Sequence, residues 1–324
     1  MTIRRILLSI FLLSGLLTCY GFRICAFNVQ SFGDSKSADK IMNSISRIVA
    51  RCDICLLQEV RDQKNKAIPR LLEAVNKIGE NDFQYVASER LGRTQTYQEQ
   101  YVFFYRKSTA ILKGQYQYPD TQTGDIDAFS REPFVVYFQA PKTLAKEFVL
   151  IPQHTTPSNA TKEIDELYDV FVDVKVRWET DFIPPLYQFS QKVMFLGDFN
   201  AACGYVAKKN RKNIRLYTDP SFTWLIQDNV DTTVKESTDC AYNRIVVHGE
   251  PFLRSIKPFS AQPFNFPKEF LLTEAQALEV SDHYPIEVVL KDVKSRMSTR
   301  YSEAPCLLPA VFVLNALLLM QMIV

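Results

Sequence analysis

The sequence predicts an α/β protein in which β-sheets pack face to face and helices cover them on the outside. Three observations carry this reading. Short apolar runs rich in Val, Ile, Phe and Tyr recur along the chain, helical periodicity fills several of the gaps, and no Gly/Ser linker, fixed repeat or low-complexity stretch breaks the pattern. The strand-like runs are Arg23–Val29, Ile54–Val60, Tyr101–Tyr105, Phe134–Phe138, Phe148–Pro152, Val193–Leu196, Tyr242–Val247 and Ile286–Leu290. Among the helical segments, Asp39–Val49 places Ile41, Ile45 and Ile48 on one face, and Ala67–Ile78 does so with Leu71, Leu72, Val75 and Ile78. Ala160–Trp178 aligns Ile164, Leu167, Tyr168, Phe171 and Val174 in the same way. Strands alternate with helices early and follow one another more directly later.

The chain has 324 residues, 47% of them hydrophobic, which suits one sizeable core from about residue 22 to about residue 292. A formal net charge of +2 excludes a grossly basic nucleic-acid binder and leaves room for a local basic face. Lys208, Lys209, Arg211, Lys212 and Arg215 form one such cluster, read either as phosphate contacts or as a solvated loop.

Both ends read as processing or anchoring segments. Arg4 and Arg5 precede the apolar run Ile6–Leu17, and Cys19 and Gly21 are small residues suited to a cut after Gly21, so residues 1–21 read as a signal peptide. A polar spacer (293–305) leads into an apolar tail (306–324) with no basic residue after it, which reads as a glycolipid-anchor signal, with Ser298, Ser302 and Ala304 as small attachment candidates. A retained membrane tail is the alternative. The expected location is the secretory pathway: the endoplasmic reticulum, the cell surface or the exterior, with the chain a monomer. Asn159-Ala-Thr161 is then a glycosylation acceptor and is expected at the surface.

A secreted chain permits disulfides. Cys203 and Cys240 flank the segment after Gly197-Asp-Phe-Asn200 and form the preferred pair. Cys25, Cys52 and Cys55 lie in apolar stretches and read as buried thiols. Cys52-Asp-Ile-Cys55 has zinc-like spacing but no second ligand pair.

The chemistry gathers where apolar runs end. Asn28 follows Ile24–Phe27, Gln58-Glu59 follows Ile54–Leu57, His154 follows Phe148–Ile151, Asp198 and Asn200 follow Val193–Leu196, and Asp282-His283 precedes Ile286–Leu290. Only three histidines occur. His154 and His283 sit in this company, whereas His248 reads as an ordinary loop residue. Neighbouring strand ends would bring carboxylates, carboxamides and imidazoles into one cleft, the set that metal-assisted phosphodiester hydrolysis needs. Glu59 and Asp198 are hard oxygen ligands for Mg²⁺ or Ca²⁺. One imidazole can take a proton from water while the other gives one to the leaving oxygen. Asn28 and Asn200 can donate to a phosphate oxygen as charge builds.

In order along residues 22–291, the segments Phe22-Arg-Ile-Cys-Ala-Phe-Asn28-Val-Gln-Ser-Phe-Gly33, Leu57-Gln-Glu59-Val-Arg61-Asp62, Ile151-Pro-Gln-His154, Leu196-Gly-Asp198-Phe-Asn200-Ala and Ser281-Asp282-His283-Tyr-Pro resemble the deoxyribonuclease I family. The resemblance implies two packed six-stranded sheets with flanking helices, a four-layer sandwich, and cleavage of double-stranded DNA with little sequence preference. It implies a divalent ion, Mg²⁺ or Ca²⁺ with Mn²⁺ as a substitute, near Glu59, Asn28, Asp198, Asn200 and Asp282. It pairs His154 with Glu99 as an acid–base unit, with His283 as the second. It places Arg61 and Tyr97 in the minor groove, Arg131 on a phosphate, Asp231 on a structural calcium, and Cys203 with Cys240 in the family's main disulfide. Tyr118-Pro-Asp-Thr-Gln-Thr-Gly124 stands where the pancreatic type carries an extra Cys-x-x-Cys loop.

One position departs. The family has an Asp shortly after the second cysteine that orients the second histidine; here the segment reads Cys240-Ala-Tyr-Asn243-Arg244. An amide carries no charge to stabilise an imidazolium and can favour the wrong tautomer. The expectation is an attenuated nuclease or one with its pH optimum moved down. Two rival readings are a DNA-binding or scavenging protein with degraded catalysis, motivated by Asn243, and a phosphodiesterase acting on inositol phosphates or sphingomyelin.

Overall fold

Two mixed sheets stack at the centre of the computed structural model, which describes residues 21–121, 126–180 and 192–293. The signal segment, the anchor candidates, the apolar tail and residues 122–124 of the Tyr118–Gly124 segment lie outside the described residues. In chain order the strands are β1 (Phe22–Phe32), β2 (Ile54–Val60), β3 (Phe83–Ala87), β4 (Leu91–Thr94), β5 (Tyr97–Arg106), β6 (Ile111–Gln117), β7 (Phe134–Ala140), β8 (Lys146–Pro152), β9 (Val193–Asp198), β10 (Phe222–Trp224), β11 (Asn243–His248), β12 (Gln262–Pro263) and β13 (Ile286–Leu290). The α-helices are α1 (Asp39–Ala50), α2 (Ala67–Ile78), α3 (Ala160–Thr180), α4 (Arg215–Thr218), α5 (Glu250–Ser255), α6 (Phe266–Phe270) and α7 (Glu274–Val280).

One sheet runs β12-β13-β1-β2-β5-β3, with β4 added on β5, and the other runs β10-β11-β9-β8-β7-β6. The first thus has seven strands, one more than the resemblance implied, because the short β4 also pairs along β5. Parallel pairs β1/β2 and β8/β9 sit mid-sheet, and α1 and α3 make their crossovers.

Alternation along each central strand builds the layers. In β1, Ile24 and Ala26 face the second sheet and meet a core containing Leu56, Phe103, Phe138, Leu150 and Leu196. Cys25 and Phe27 point the other way, into the layer under α1 and α2 with Ile45, Leu71 and Val75. On the far side, Val149, Ile151 and Phe195 pack under Ile164, Leu167 and Val170 of α3. Strands buried on both faces need apolar residues at consecutive positions, which is why their runs read as continuous. Among the described residues no helix is long and apolar enough to cross a membrane.

Several sequence expectations change. Cys25 and Cys52 are not free thiols but a disulfide joining β1 to the end of α1; among the described residues only Cys55 is a free thiol, and it is buried. The Cys52–Cys55 spacing hid this, because the two lie on different elements and Cys52 turns toward β1. Cys203 and Cys240 form the second bridge. His248 is not a loop residue: it closes β11, buried, with its ring 4.3 Å from that of Phe171 and 4.9 Å from that of Phe222. Asn159 is half-buried in a 3₁₀ turn before α3, and its amide nitrogen donates to the Ala128 carbonyl, so the acceptor is less free than a surface position implied. Of the basic cluster, Arg211 pairs with Asp228 and Arg215 with Asp165 and Asp169, leaving Lys208, Lys209 and Lys212 without an ion pair among the described residues.

The Cys25–Cys52 bridge closes a separation of 27 residues. Replacing both cysteines by serine is expected to lower unfolding free energy by about 2–4 kcal/mol, read as a lower denaturant midpoint than that of the oxidised wild type. An unchanged midpoint refutes the assignment.

Candidate active site

The polar groups collect at one end of the sandwich, where β1 and β2 of one sheet and β8 and β9 of the other finish. Two glycines permit the close approach. At Gly197, φ is +133° and an added Cβ would lie 2.5 Å from both the Gln58 amide and the Gln153 carbonyl. At Gly33 a Cβ would meet the Arg61 carbonyl at 2.7 Å. The room at Gly197 lets the fully buried Gln58 bridge the sheets: its Nε2 donates to Gln153 O at 2.7 Å and its Oε1 accepts from Asp198 N–H at 2.9 Å.

Asn28 ties the acids together. Its Nδ2 donates to Glu59 Oε1 at 2.9 Å and to Asp198 Oδ2 at 3.1 Å. Backbone bulges aim these groups: the β1/β2 register slips between Asn28 and Phe32, and Gln30, Ser31 and Glu59 all adopt left-handed φ. Ser31 N–H holds the other Glu59 oxygen at 3.0 Å, and Asn28 Oδ1 accepts from Gln30 N–H. Lys36 closes the bulge, its Nζ 2.7 Å from Gln30 O, and burial pulls its pKa down to about 8 against the raising effect of Asp282 and Glu59. Asn200 also has positive φ; it donates to Thr155 O and its N–H to Asp198 Oδ1, which fixes the Asp198 carboxylate from behind.

Two histidines flank Asp198. His154 Nδ1 lies 2.6 Å from Glu99 Oε1, and its Nε2 lies 3.8 Å from Glu59 and 3.7 Å from Asp198. Arg131 backs this pair, with Nε 2.8 Å from Glu99 Oε1 and 2.9 Å from His154 O, so it is largely buried behind the imidazole. Burial opposes charge on His154, but the Glu99 carboxylate prevails and the net shift is upward. Burial likewise opposes charge on Glu99, and His154 and Arg131 hold its carboxyl below the usual range. For Asp198, burial is outweighed by His283, His154, the Asn200 N–H and the Asn28 amide, and the net shift is downward.

His283 Nδ1 lies 3.1 Å from Asn243 Oδ1, and its Nε2 lies 3.4 Å from Asp198 Oδ2 and 3.8 Å from Asp282 Oδ1. The Asn243 amide donates to Tyr284 O at 2.9 Å, which turns its oxygen toward the ring. An oxygen there accepts the Nδ1 proton and leaves Nε2 facing Asp198, so the expected wrong tautomer does not arise. What the amide lacks is charge.

The structure therefore brings Asn28, Glu59, Glu99, His154, Asp198, Asn200, Asn243, Asp282 and His283 together. Glu59 and Asp198, bridged by the Asn28 amide nitrogen, and Asp282 beside His283 are hard-oxygen donors, so by chemistry these carboxylates fit a divalent ion, while the Asn28 oxygen is turned to Gln30 N–H. Asp231 lies outside this set: its Oδ1 accepts from Thr233 N–H, Thr233 Oγ1 and Cys240 N–H, tying down the turn before the Cys203–Cys240 bridge. Arg61 stacks its guanidinium 4.2 Å from the Tyr97 ring centroid, and Tyr97 is 46% exposed, so this pair stands at the rim.

The strand-end pattern marked Gln58 without its bridging role, and sequence reasoning gave no role to Ser31, whose N–H and hydroxyl meet Glu59. It also missed Asp120, Asp127 and Glu132, whose ligand oxygens lie within 4.8 Å of one another, with Asp127 paired to Arg93. A backbone loop gathers that trio, and the spacing of the acids alone does not mark it.

Residues 25–283 match the Endonuclease/Exonuclease/phosphatase family. The chain is 48% identical to human deoxyribonuclease gamma over 294 residues, 90% of this chain and 93% of that protein. It is 49% identical to mouse deoxyribonuclease-1-like 2 over 86% of this chain and 94% of that one, and 43% identical to human deoxyribonuclease-1-like 1 over 91% of each. A Leptotrichia buccalis endonuclease/exonuclease/phosphatase family protein superposes with a TM-score of 0.56 at 16% identity, covering 83% of this chain and 99% of that one. The human Nocturnin catalytic domain superposes with a TM-score of 0.53 at 13% identity, covering 84% and 95%. These structures share the fold.

Charge on His154 depends on Glu99. In the metal-free wild type the imidazole titrates above its ordinary value of roughly 6.5, so the pair stabilises the fold below that value and loses its contribution as pH rises through the raised one. Glu99→Gln removes the charge and leaves burial and Arg131 dominant. A metal-free NMR titration should show the His154 midpoint falling below roughly 6.5; a midpoint unmoved by the substitution refutes the pairing.

Proposed function

The chain belongs to the endonuclease/exonuclease/phosphatase family, and we propose that it is a deoxyribonuclease: a hydrolase that cleaves phosphodiester bonds within double-stranded DNA with little sequence preference. The observation that carries this is the pair of buried histidines on either side of Asp198, each with an acceptor on Nδ1 and Nε2 toward the carboxylates. Its relatives named deoxyribonucleases match it over most of their length.

Nucleases of this family use divalent metal ions. Glu59, Asp198, Asp282 and Asn28 would hold the ion, with Mg²⁺ or Ca²⁺ favoured by the oxygen donors and Mn²⁺ as a substitute. Bound there, it would neutralise charge on the scissile phosphate. The chain's own residues supply the rest. His154, kept charged by Glu99 and backed by Arg131, suits donation of a proton from Nε2 to the leaving oxygen. His283, with Asn243 accepting from Nδ1, suits acceptance of a proton from water at Nε2. Asn200 is braced by Thr155 and Asp198 as a polar contact for the phosphate. Arg61 and Tyr97 at the rim would enter the minor groove, and a groove with a degenerate donor–acceptor code accounts for weak sequence preference. We further propose that residues 1–21 direct the chain into the secretory pathway, that the 306–324 tail attaches it to a membrane, and that it acts as a monomer.

Nicking of supercoiled plasmid tests the activity. Wild type with Mg²⁺ and Ca²⁺ should convert supercoiled to relaxed circles, EDTA should abolish this, and His154→Ala should slow it by about 100-fold or more. Absence of nicking under every divalent ion overturns the function. Asn243→Asp restores a charged acceptor behind His283. A hydrogen bond to a charged group exceeds a neutral one by about 1 kcal/mol, so nicking should rise roughly fivefold and the pH–rate profile should move. Coincident rates and profiles would remove Asn243 from the account of attenuation.

A further inference from the structure

Lys36 belongs to no sequence motif used above, yet its ammonium has a fixed place beside the acids. Nζ donates to Val29 O at 3.3 Å, Gln30 O at 2.7 Å and Gln30 Oε1 at 3.2 Å, which accounts for all three of its protons. Those acceptors belong to the β1 bulge, where Gln30 and Ser31 hold φ of 46° and 59° without being glycine. Such conformations are costly and persist only where the surroundings over-determine them. The bulge has one visible product: it turns Ser31 so that its N–H and Oγ meet Glu59 Oε2 at 3.0 and 3.4 Å, while Gln30 N–H fixes the Asn28 oxygen. Glu59 is itself left-handed, with φ of 56°, so its carboxylate depends on this outside hold.

We propose that Lys36 is a positioning residue for metal binding: its ammonium staples the Gln30–Ser31 bulge and, through Ser31, sets the Glu59 carboxylate. The inference rests on the reading of Glu59 as a metal ligand. It opposes a second effect of the same cation, since a positive charge near Glu59 and Asp282 repels a metal ion through space. The two effects predict opposite signs when the charge is removed. Three hydrogen bonds, one of them at 2.7 Å, act at contact range, whereas no ion pair links Lys36 to either carboxylate among the described residues, so the staple is the stronger effect.

Calorimetric titration of Mn²⁺ into the metal-free full chain decides between them without reference to turnover. Lys36→Met is expected to weaken Mn²⁺ binding about tenfold or more, in the range seen when supports behind metal ligands are removed. Lys36→Arg, which keeps the charge but not the ammonium geometry, should weaken it less, and Lys40→Met, on the exposed start of α1, should leave it unchanged. Nicking by Lys36→Met should recover toward wild type as Mn²⁺ is raised, since the deficit lies in binding the ion. Unchanged or tighter binding in Lys36→Met overturns the staple. If Lys36→Met does not fold, Lys36→Arg decides: weaker binding supports the proposal and wild-type binding overturns it. Glu59→Gln separates the two readings: if it leaves Mn²⁺ affinity unaltered, Glu59 is not a ligand and the staple falls with it.

Discussion

The Asn28 side-chain amide is the contact on which the site depends. One NH₂ group donates to Glu59 in its own sheet and to Asp198 in the facing sheet. The two carboxylates, Asp198 buried and Glu59 half-buried, repel each other, and burial alone would favour protonating Asp198. The amide protons, the Ser31 N–H on Glu59 and the Asn200 N–H on Asp198 offset that repulsion with donors that cannot titrate. Gln58 does the same for the backbone, joining Asp198 N–H to Gln153 O across the sheets. The sandwich therefore does more than bury apolar surface. Its two sheets must stay in register to within a hydrogen bond at this end, or the acids separate.

Around Asp198 the two histidines are alike in geometry and unlike in charge. Each presents Nε2 to the acids and rests Nδ1 on an oxygen acceptor. Behind His154 that oxygen is a carboxylate, itself compensated by Arg131; behind His283 it belongs to an amide pinned by Tyr284 O. The amide keeps the tautomer that a carboxylate would select and gives up only the charge. Attenuation, under the proposed function, is then a matter of one weaker hydrogen bond to an imidazolium and not of a misplaced ring.

The parts legible in the sequence were those with a local signature. α2 follows its apolar stripe from Ala67 to Ile78, and β13 follows its run from Ile286 to Leu290. Asn28, Glu59, His154, Asp198 and His283 stood out because each adjoins a run buried on both faces. What escaped was set by partners far away in sequence. β6 is an edge strand whose residues alternate between half-buried and exposed around Lys113 and Gly114, so no apolar run marks it. β12 has two residues and exists only because β13 is there to pair with it. The Cys25–Cys52 bridge was hidden because Cys52 and Cys55 look like neighbours while the fold sends them to different elements. Lys36 was invisible, and the bridging role of Gln58 was not legible at its strand end, because both act mainly through hydrogen bonds to backbone atoms, which any polar side chain can make in a sequence.

Exposure separates two tasks within the same cleft. His154, Asp198 and Asn243 are buried and over-determined by hydrogen bonds, so their geometry does not wait for a ligand to order it. The Arg61 guanidinium stacks on the Tyr97 ring and makes one long contact to Thr96 O, and of the pair Arg61 is half-buried and Tyr97 exposed. A substrate recognised chiefly through its backbone needs a rigid centre and an adaptable rim, since phosphates repeat regularly while groove width varies with sequence. The Cys203–Cys240 bridge supports that division. It ties the segment that leaves Asn200 to the segment that enters Asn243, whose side chain meets His283. The left-handed residues Ser31 and Glu59 lie at the end of β1 and β2 that carries the acids, where, under the proposed function, a bound cation would relieve the charge that the fold has concentrated there.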